Sequence, residues 1–178
     1  IGRRGRNPRS CGGQRQFLHA PGDLNTMIER ARAYGNRTFI VEEADDGSER
    51  RISFEQIFAL RDQLVPLLGI RRGDRVAICM RNRTEWIVGF LATIKAGGIA
   101  ALLNSRGSPA ELVAMIHEVT PEIVLADSQR AALIREGGYS GRMLDLTQPF
   151  EEAEIEQRAS TAPIVADMAK PDDACTIL

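Results

Sequence analysis

Few residues in this chain have the type and spacing that ligand chemistry requires, and the clearest candidate is an arginine. Asn104, Ser105 and Arg106 directly follow an apolar run from Ile99 to Leu103. Ligands of α/β sheets bind at the carboxyl ends of the strands, so a strand at this run would present Arg106 there. Arg106 is therefore a candidate ligand contact, and the alternative is an ordinary arginine on a loop. Asn104 is expected to hold the turn through side-chain-to-backbone hydrogen bonds.

The sequence predicts no catalytic residue and no metal ligand. It contains no G-x-x-x-x-G-K-[S/T] motif and no Gly/Ser/Thr-rich loop followed by lysine. Its two lysines are Lys95, in the last turn of a predicted helix where a cation favours the helix dipole, and Lys170. The histidines His19 and His117 lack an obvious acidic or metal-binding neighbour. Cys79 lies in an apolar run and is expected to be a small buried side chain.

A strand–helix–strand unit positions the candidate arginine. Arg75 to Met80 forms an apolar run typical of a strand buried on both faces. Asn82 is predicted to cap the following helix, with Glu85 completing a capping box. Gly97 and Gly98 are predicted to end that helix before the next apolar run. The apolar side chains between them recur at helical spacing: Trp86, Ile87, Phe90, Leu91 and Ile94. Two strands joined in this way must run parallel, which predicts an α/β fold.

The same alternation of strands and helices continues to about residue 146 and predicts a doubly wound, Rossmann-like sheet with flanking helices. Asp46-Gly47 predicts a hairpin turn upstream of this sheet, and Pro66 is expected to kink or end its helix. The segment from Glu151 to Arg158 is expected to be a solvated helix or loop. Further helix starts are predicted at capping residues: Asp23, Ser53 with Gln56, Ser108 with Glu111, and Asp127 or Ser128.

Several of these segments, in order, resemble the AMP-forming acyl- and aryl-CoA synthetases. That family has a GDRVAI-like strand, an N-x-x-E/D helix ending in L-A, and a K-A-G turn leading to asparagine. The matching segments here are Gly73 to Ile78, Asn82 to Ala92, and Lys95 to Asn104. Ile52 to Ile57 resembles an early S/T-Y/F-x-E/Q-L segment, and Asp172 to Leu178 resembles the strand before the family's phosphate loop.

The resemblance implies a fold, an activity and one cofactor contact. The fold would be part of the large N-terminal domain of an adenylate-forming enzyme. The parent enzyme would join a carboxylic acid to AMP from ATP with Mg²⁺, and then transfer the acyl group to coenzyme A (CoA). The run from Ala101 to Arg106, followed by Ala110-Glu111-Leu112, is similar to the A-L-L-N-P-R…A-E-L of aryl-CoA ligases. Arg106 would then lie near the CoA phosphates, although Ser105 replaces the family's proline.

The resemblance also implies that this polypeptide alone is not catalytically competent. The family's phosphate loop, its adenine and carboxylate sites and its catalytic lysine are expected beyond Leu178. Two alternatives stay open at this point. One is an amino-acid-activating domain of a peptide synthetase, from whose K-A-G-x-A-Y-x-P-x-D turn Leu102-Leu103-Asn104 departs. The other is a self-contained, flavodoxin-like binding or regulatory domain.

Composition limits the remaining possibilities. With 43% hydrophobic and 26% charged residues, the chain is typical of globular proteins. Residues 1–20 are predicted to form a flexible Arg/Gly-rich tail that does not bind nucleic acid, and residues 21–178 a partial N-terminal domain. No membrane span and no secretory leader are predicted, and three widely separated cysteines favour the cytoplasm. Apolar surface left uncovered in a partial domain predicts self-association.

Overall fold

The computed structural model describes residues 22–43, 46–147 and 174–177, together with the backbone of two short strands near the N-terminus. These strands are β1 (Arg9–Cys11) and β2 (Gln14–Gln16), which pair antiparallel. The flexible tail predicted for residues 1–20 lies mostly outside the described residues and stays a prediction. The segment from Glu151 to Arg158 also lies outside them.

A five-stranded parallel sheet forms the centre of the molecule, in the order β8-β7-β5-β6-β9. The predicted α/β fold with a parallel sheet is thus confirmed. Its middle strand, β5, is inaccessible to solvent from Val76 to Cys79. The strands are β5 (Arg75–Cys79), β6 (Ile99–Leu102), β7 (Ile123–Ala126), β8 (Met143–Asp145) and β9 (Thr176–Ile177).

Helices cover both faces of this sheet, and alternate residues of β5 pack against opposite layers. Val76 and Ile78 pack with α2 and α3, whereas Ala77 and Cys79 pack with α4 and α5. The prediction of a doubly wound sheet, with helices on both faces, is therefore confirmed. The helices are α2 (Phe54–Leu68), α3 (Thr84–Lys95), α4 (Pro109–Val119) and α5 (Ser128–Glu136).

The N-terminal part of the described chain consists of a short helix and a hairpin. Helix α1 (Leu24–Arg30) continues into a 3₁₀ turn over Ala31–Tyr34. Strands β3 (Thr38–Glu43) and β4 (Glu49–Ser53) then pair antiparallel as a separate two-stranded sheet. Gly47 has φ +80° in the turn that joins them, a conformation that favours glycine. The predicted hairpin is confirmed.

Most helix starts follow the predicted caps, but the start of α3 does not. Asp23, Ser53, Ser108 and Asp127 each accept a backbone hydrogen bond from the first turn of their helix. Pro66, expected to kink or end its helix, lies inside α2, which ends two residues later at Leu68. Since proline has helical φ, it removes one hydrogen-bond donor without blocking the last residues of the helix.

Asn82 does not cap α3, and the cap comes from a distant strand instead. The residue at the cap position is Arg83, whose side chain makes no capping bond. Glu42 of β3 supplies the acceptor: its Oε2 receives hydrogen bonds from Thr84 N at 3.1 Å and Thr84 Oγ1 at 2.7 Å. The hairpin is thereby attached to α3, because one of its carboxylates accepts the hydrogen bond of a first-turn amide that has no acceptor within the helix.

A network of charges holds α1 against α2 and α3. The Glu29 carboxylate lies 2.6 Å from Arg32 Nε, 2.8 Å from Arg61 Nη1 and 3.0 Å from Lys95 Nζ. Arg61 is completely buried and also contacts Asp62 Oδ1 at 2.6 Å. Burial alone would raise the pKa of Glu29, but the hydrogen bonds from Arg32 and Lys95 and the charge of Arg61 lower it to about 2.

We expect Glu29→Gln to reduce the free energy of unfolding by about 1–2 kcal/mol at pH 7. The folded-state pKa of Glu29 is about 2 against an ordinary value of 4.5. Its contribution to stability is therefore complete above about pH 4.5 and is lost as the pH falls towards 2. Urea unfolding of both proteins from pH 7 to pH 3 measures the difference. Glu118→Gln, at an exposed position of α4, is the control. If the loss of unfolding free energy in Glu29→Gln were the same at every pH, it would contradict the expectation.

Candidate functional site at the carboxyl edge of the sheet

The parallel sheet brings several polar loops to a single edge, which we call the carboxyl edge. Because the paired strands point the same way, the residues that follow them emerge side by side. Arg81 follows β5, the Asn104–Arg106 loop follows β6, Asp127 follows β7 and Thr147 follows β8. This is the edge at which doubly wound sheets bind ligands.

The Asn104–Arg106 loop presents Arg106 to solvent. Asn104 Oδ1 accepts a hydrogen bond from Arg106 N at 3.0 Å, which confirms that the asparagine holds the turn. Arg106 is exposed, and its guanidinium makes no hydrogen bond or ion pair with any residue in the described part of the chain. The loop thus carries a permanent charge with all its donors available to a ligand.

A second arginine, Arg130, holds this loop from the side. Arg130 lies in the first turn of α5, and its Nε donates a 3.0 Å hydrogen bond to the carbonyl of Ser105. Its side chain is only 11% exposed, and its Nη1 lies 3.5 Å from Asp127 Oδ1. Sequence reasoning missed Arg130. The available signal was its charge, since a cation is unfavourable at a helix N-terminus and requires a compensating contact.

Asp127 connects the first turn of α5 to a further loop. Its carboxylate is almost completely buried; Oδ1 accepts a hydrogen bond from Arg130 N at 2.9 Å, and Oδ2 accepts one from Arg81 N at 3.0 Å. Next to it, Ser128 N donates to Thr147 Oγ1 at 3.1 Å. Asp127, Ser128 and Arg130, which we call the α5 junction, therefore tie together the loops after β5, β6 and β8.

Cys79 ends β5 beside this junction and is not a nucleophile. Burial raises the pKa of its thiol to about 11, and the nearby Asp127 carboxylate acts in the same direction. A neutral, solvent-inaccessible thiol is unreactive, because the thiolate is the nucleophilic form. The prediction of a small buried side chain is confirmed.

An apolar groove of about 560 Å³ lies between the β6–β9 edge of the sheet and α4. Its walls include Leu103 and Ile177 from the sheet side and Met115 and Val119 from the helix, with Asn104 also contributing. Ile177 of β9 is 41% exposed. Most of the groove surface is apolar, with Arg75 and Glu118 also lining it, and such a surface can pack against other protein surface.

Among the described residues, Arg106 is an exposed cation that could contact a phosphate, and no group of side chains there could hold a metal ion. Within the ranges 22–43, 46–147 and 174–177, no group of three His, Cys, Asp or Glu side chains could hold a metal ion. Lys95, the lysine among the described residues, is engaged by Glu29. Arg106 remains the available cation of the Asn104–Arg106 loop. None of the described helices combines the length and apolarity needed to cross a bilayer.

Comparison with known proteins identifies the relatives of this chain. Residues 27–178 match the family model of the AMP-binding enzymes. The medium/long-chain-fatty-acid–CoA ligase FadD6 of Mycobacterium tuberculosis is 27% identical over 139 residues, which are 76% of this chain and 22% of that protein. Tyrocidine synthase 1 of Brevibacillus parabrevis is 24% identical over 153 residues, which are 84% of this chain and 13% of that protein.

A solved structure gives the same fold. The acyl-CoA synthetase of Brucella canis superposes with a TM-score of 0.69 at 18% sequence identity, over 89% of this chain and 32% of that one. The chain thus spans about a fifth or less of the length of the two curated relatives.

Proposed function

We propose, from the premise that the chain belongs to the family of AMP-binding enzymes, that it forms the front part of the large N-terminal domain of an acid–CoA ligase. The parent enzyme would activate a carboxylic acid with ATP and Mg²⁺ as an acyl-adenylate, and then transfer the acyl group to CoA. The observation that carries the proposal is the exposed guanidinium of Arg106 at the carboxyl edge, which makes no polar contact with the described residues. There it would donate charge-assisted hydrogen bonds to a CoA phosphate.

The family match does not favour the alternative of a self-contained flavodoxin-like domain. Peptide synthetases are among the relatives, so the choice of CoA ligase rests on the loop after β6. Leu102-Leu103-Asn104 departs from the A-Y-x-P-x-D pattern typical of amino-acid activation. The asparagine at its end holds the turn that exposes Arg106. These features support CoA as the anion that meets this loop.

We propose that ATP, Mg²⁺ and the carboxylic acid bind to other parts of the parent enzyme. The support is chemical, because the described residues offer neither a phosphate-binding loop with lysine nor a group of metal ligands. When bound, Mg²⁺ would neutralise the phosphate charge that develops during acyl-adenylate formation. For the location, we propose the cytoplasm, since Cys79 and Cys175 are both free thiols.

We predict that the 178-residue polypeptide by itself does not form an acyl-adenylate. No described residue can take the place of the missing phosphate-binding loop. The measurement is ATP–pyrophosphate exchange with a panel of fatty and aromatic acids, with the complete parent protein as the positive control. Exchange by the polypeptide clearly above a protein-free blank would refute this prediction.

We also predict that the isolated polypeptide self-associates through its exposed apolar surface. The exposed apolar side chains include Ile177 in the groove (41% exposed) and two residues of β3, Phe39 (43%) and Val41 (51%). Light scattering across a dilution series measures the association, and Ile177→Lys should weaken it by placing a charge in the groove. A monodisperse monomer at high concentration, without binding of an apolar dye, would argue against it.

In the parent enzyme, we expect Arg106→Ala to weaken CoA binding in the thioester step. Loss of one charge-assisted contact costs about 1.5–3 kcal/mol, which corresponds to a roughly ten- to hundredfold increase in KM for CoA. Acyl-adenylate formation should hardly change, because CoA takes no part in it. Arg106→Lys should restore only part of the affinity, since lysine keeps the charge and loses the planar donors.

Arg81→Ala is the matched control for this measurement. Arg81 is an exposed arginine at the same edge, so its removal changes the local charge equally. An unchanged KM for CoA in Arg106→Ala would show that Arg106 is only a surface residue. If Arg106→Ala lowered the rates of acyl-adenylate formation and of thioester formation equally, Arg106 would instead have a role in maintaining the fold.

A further inference from the structure

We propose that Arg130 is a positioning residue for CoA binding, which acts by fixing the Asn104–Arg106 loop against the first turn of α5. The inference rests on the proposed function, in which Arg106 meets a CoA phosphate. It identifies Arg130 as the residue that fixes the position of the loop carrying Arg106. Arg130 itself need not touch the ligand, because its Nε is already bonded to Ser105 O at 3.0 Å.

The loop between β6 and α4 is held at three points. At its start, Leu103 N donates to Ile78 O of β5 at 3.0 Å. At its end, Ser108 and Glu111 form the capping box of α4. In the middle, and among the residues that the structure describes, the hydrogen bond from Arg130 is the one that joins Ser105 and its neighbours to another element. Without it, the part of the loop that carries Arg106 keeps only the internal bond from Arg106 N to Asn104 Oδ1.

The side chain of Arg130 packs beside a buried, doubly hydrogen-bonded carboxylate, that of Asp127. Asp127 is 4% exposed and accepts hydrogen bonds from the backbones of both Arg81 and Arg130. The same carboxylate lies 3.5 Å from Arg130 Nη1, and Gln129 Oε1 accepts a further bond from that nitrogen at 2.8 Å. The Arg130 guanidinium is therefore contacted at Nη1 by two neighbouring side chains, while its Nε donates to Ser105 O.

Arg130 adds little to the stability of the fold, and this argues that its role is to position the Asn104–Arg106 loop. A cation in the first turn of α5 opposes the helix dipole, and a mostly buried ion pair contributes little net stability compared with apolar packing. What the guanidinium supplies, and an apolar side chain could not, is a directed bond to the Ser105 carbonyl. Ligand contacts depend on this kind of support, since a displacement of about 1 Å can cost up to roughly a hundredfold in rate.

The first experiment measures how fast the backbone amides of the Asn104–Arg106 loop exchange with solvent hydrogen in the complete parent protein. In Arg130→Met we expect the peptide covering residues 103–108 to exchange roughly tenfold faster, because the loop opens more often. Peptides from β5 and α4 should keep their wild-type rates. Arg135→Met is the matched control on the same helix; its guanidinium binds the carbonyls of Tyr139 and Gly141 instead. Unchanged exchange of residues 103–108 in Arg130→Met would overturn the proposal.

The second experiment separates positioning from a general loss of structure. Arg130→Met should raise KM for CoA roughly tenfold, while ATP–pyrophosphate exchange stays within about twofold. Arg130→Lys should recover part of the affinity through a single bond to Ser105. The double variant with Arg106→Ala should be no worse than Arg106→Ala alone, because both changes remove the same contact. Additive effects, or an equal loss in both half-reactions, would overturn the proposed role.

The two experiments also distinguish this inference from the proposed function. If Arg106→Ala leaves KM for CoA unchanged, the proposed CoA contact fails, whereas faster exchange in Arg130→Met still supports the positioning of the loop. If Arg106→Ala weakens CoA binding but Arg130→Met does not, the CoA contact stands and the positioning role is refuted.

Discussion

The burial of β5 is the constraint on which the rest of this structure depends. Its residues from Val76 to Cys79 are inaccessible to solvent, and the strand pairs in parallel with β6 on one side and β7 on the other. Parallel pairing sends the polar residues that follow these strands to the same edge. The alternation along β5 also assigns the helices to two layers, since each layer packs on every second side chain. Parallel pairing with β5 therefore places the Asn104–Arg106 loop at the carboxyl edge, where Arg130 holds it.

Two carboxylates organise the polar contacts around this apolar centre, with different consequences. Glu29 collects Arg32, Arg61 and Lys95 and joins three helical segments, so its effect is on the stability of the N-terminal part. Asp127 joins loops at the carboxyl edge, so its effect is on the geometry of a surface that could bind a ligand. Glu29 contacts three cationic side chains, whereas Asp127 accepts two backbone hydrogen bonds and lies 3.5 Å from one guanidinium, that of Arg130.

The parts of the fold that sequence could predict are those determined by neighbouring residues. The apolar runs of β5 and β6 and the capping boxes at Ser53 and Ser108 involve groups a few positions apart, and they appear as expected. The cap of α3 was wrongly assigned to Asn82 because the true acceptor, on Glu42, lies 42 residues from Thr84. For the same reason Arg130 was missed, since its partner Ser105 is 25 residues away. Arg106 could be named as a candidate from its place after a strand, but the packing of the whole carboxyl edge determines that its guanidinium lacks a polar partner among the described residues.

The order of the strands has a consequence for how the chain folds as it is synthesised. The strands lie side by side in the order β8-β7-β5-β6-β9. The middle strand, β5, comes first of the five along the chain and therefore leaves the ribosome first. Every later strand then adds at an outer edge: β6 and β7 on the two sides of β5, β8 outside β7, and β9 outside β6. No strand has to insert between two that are already paired. The sheet can therefore grow outward during translation without breaking native hydrogen bonds.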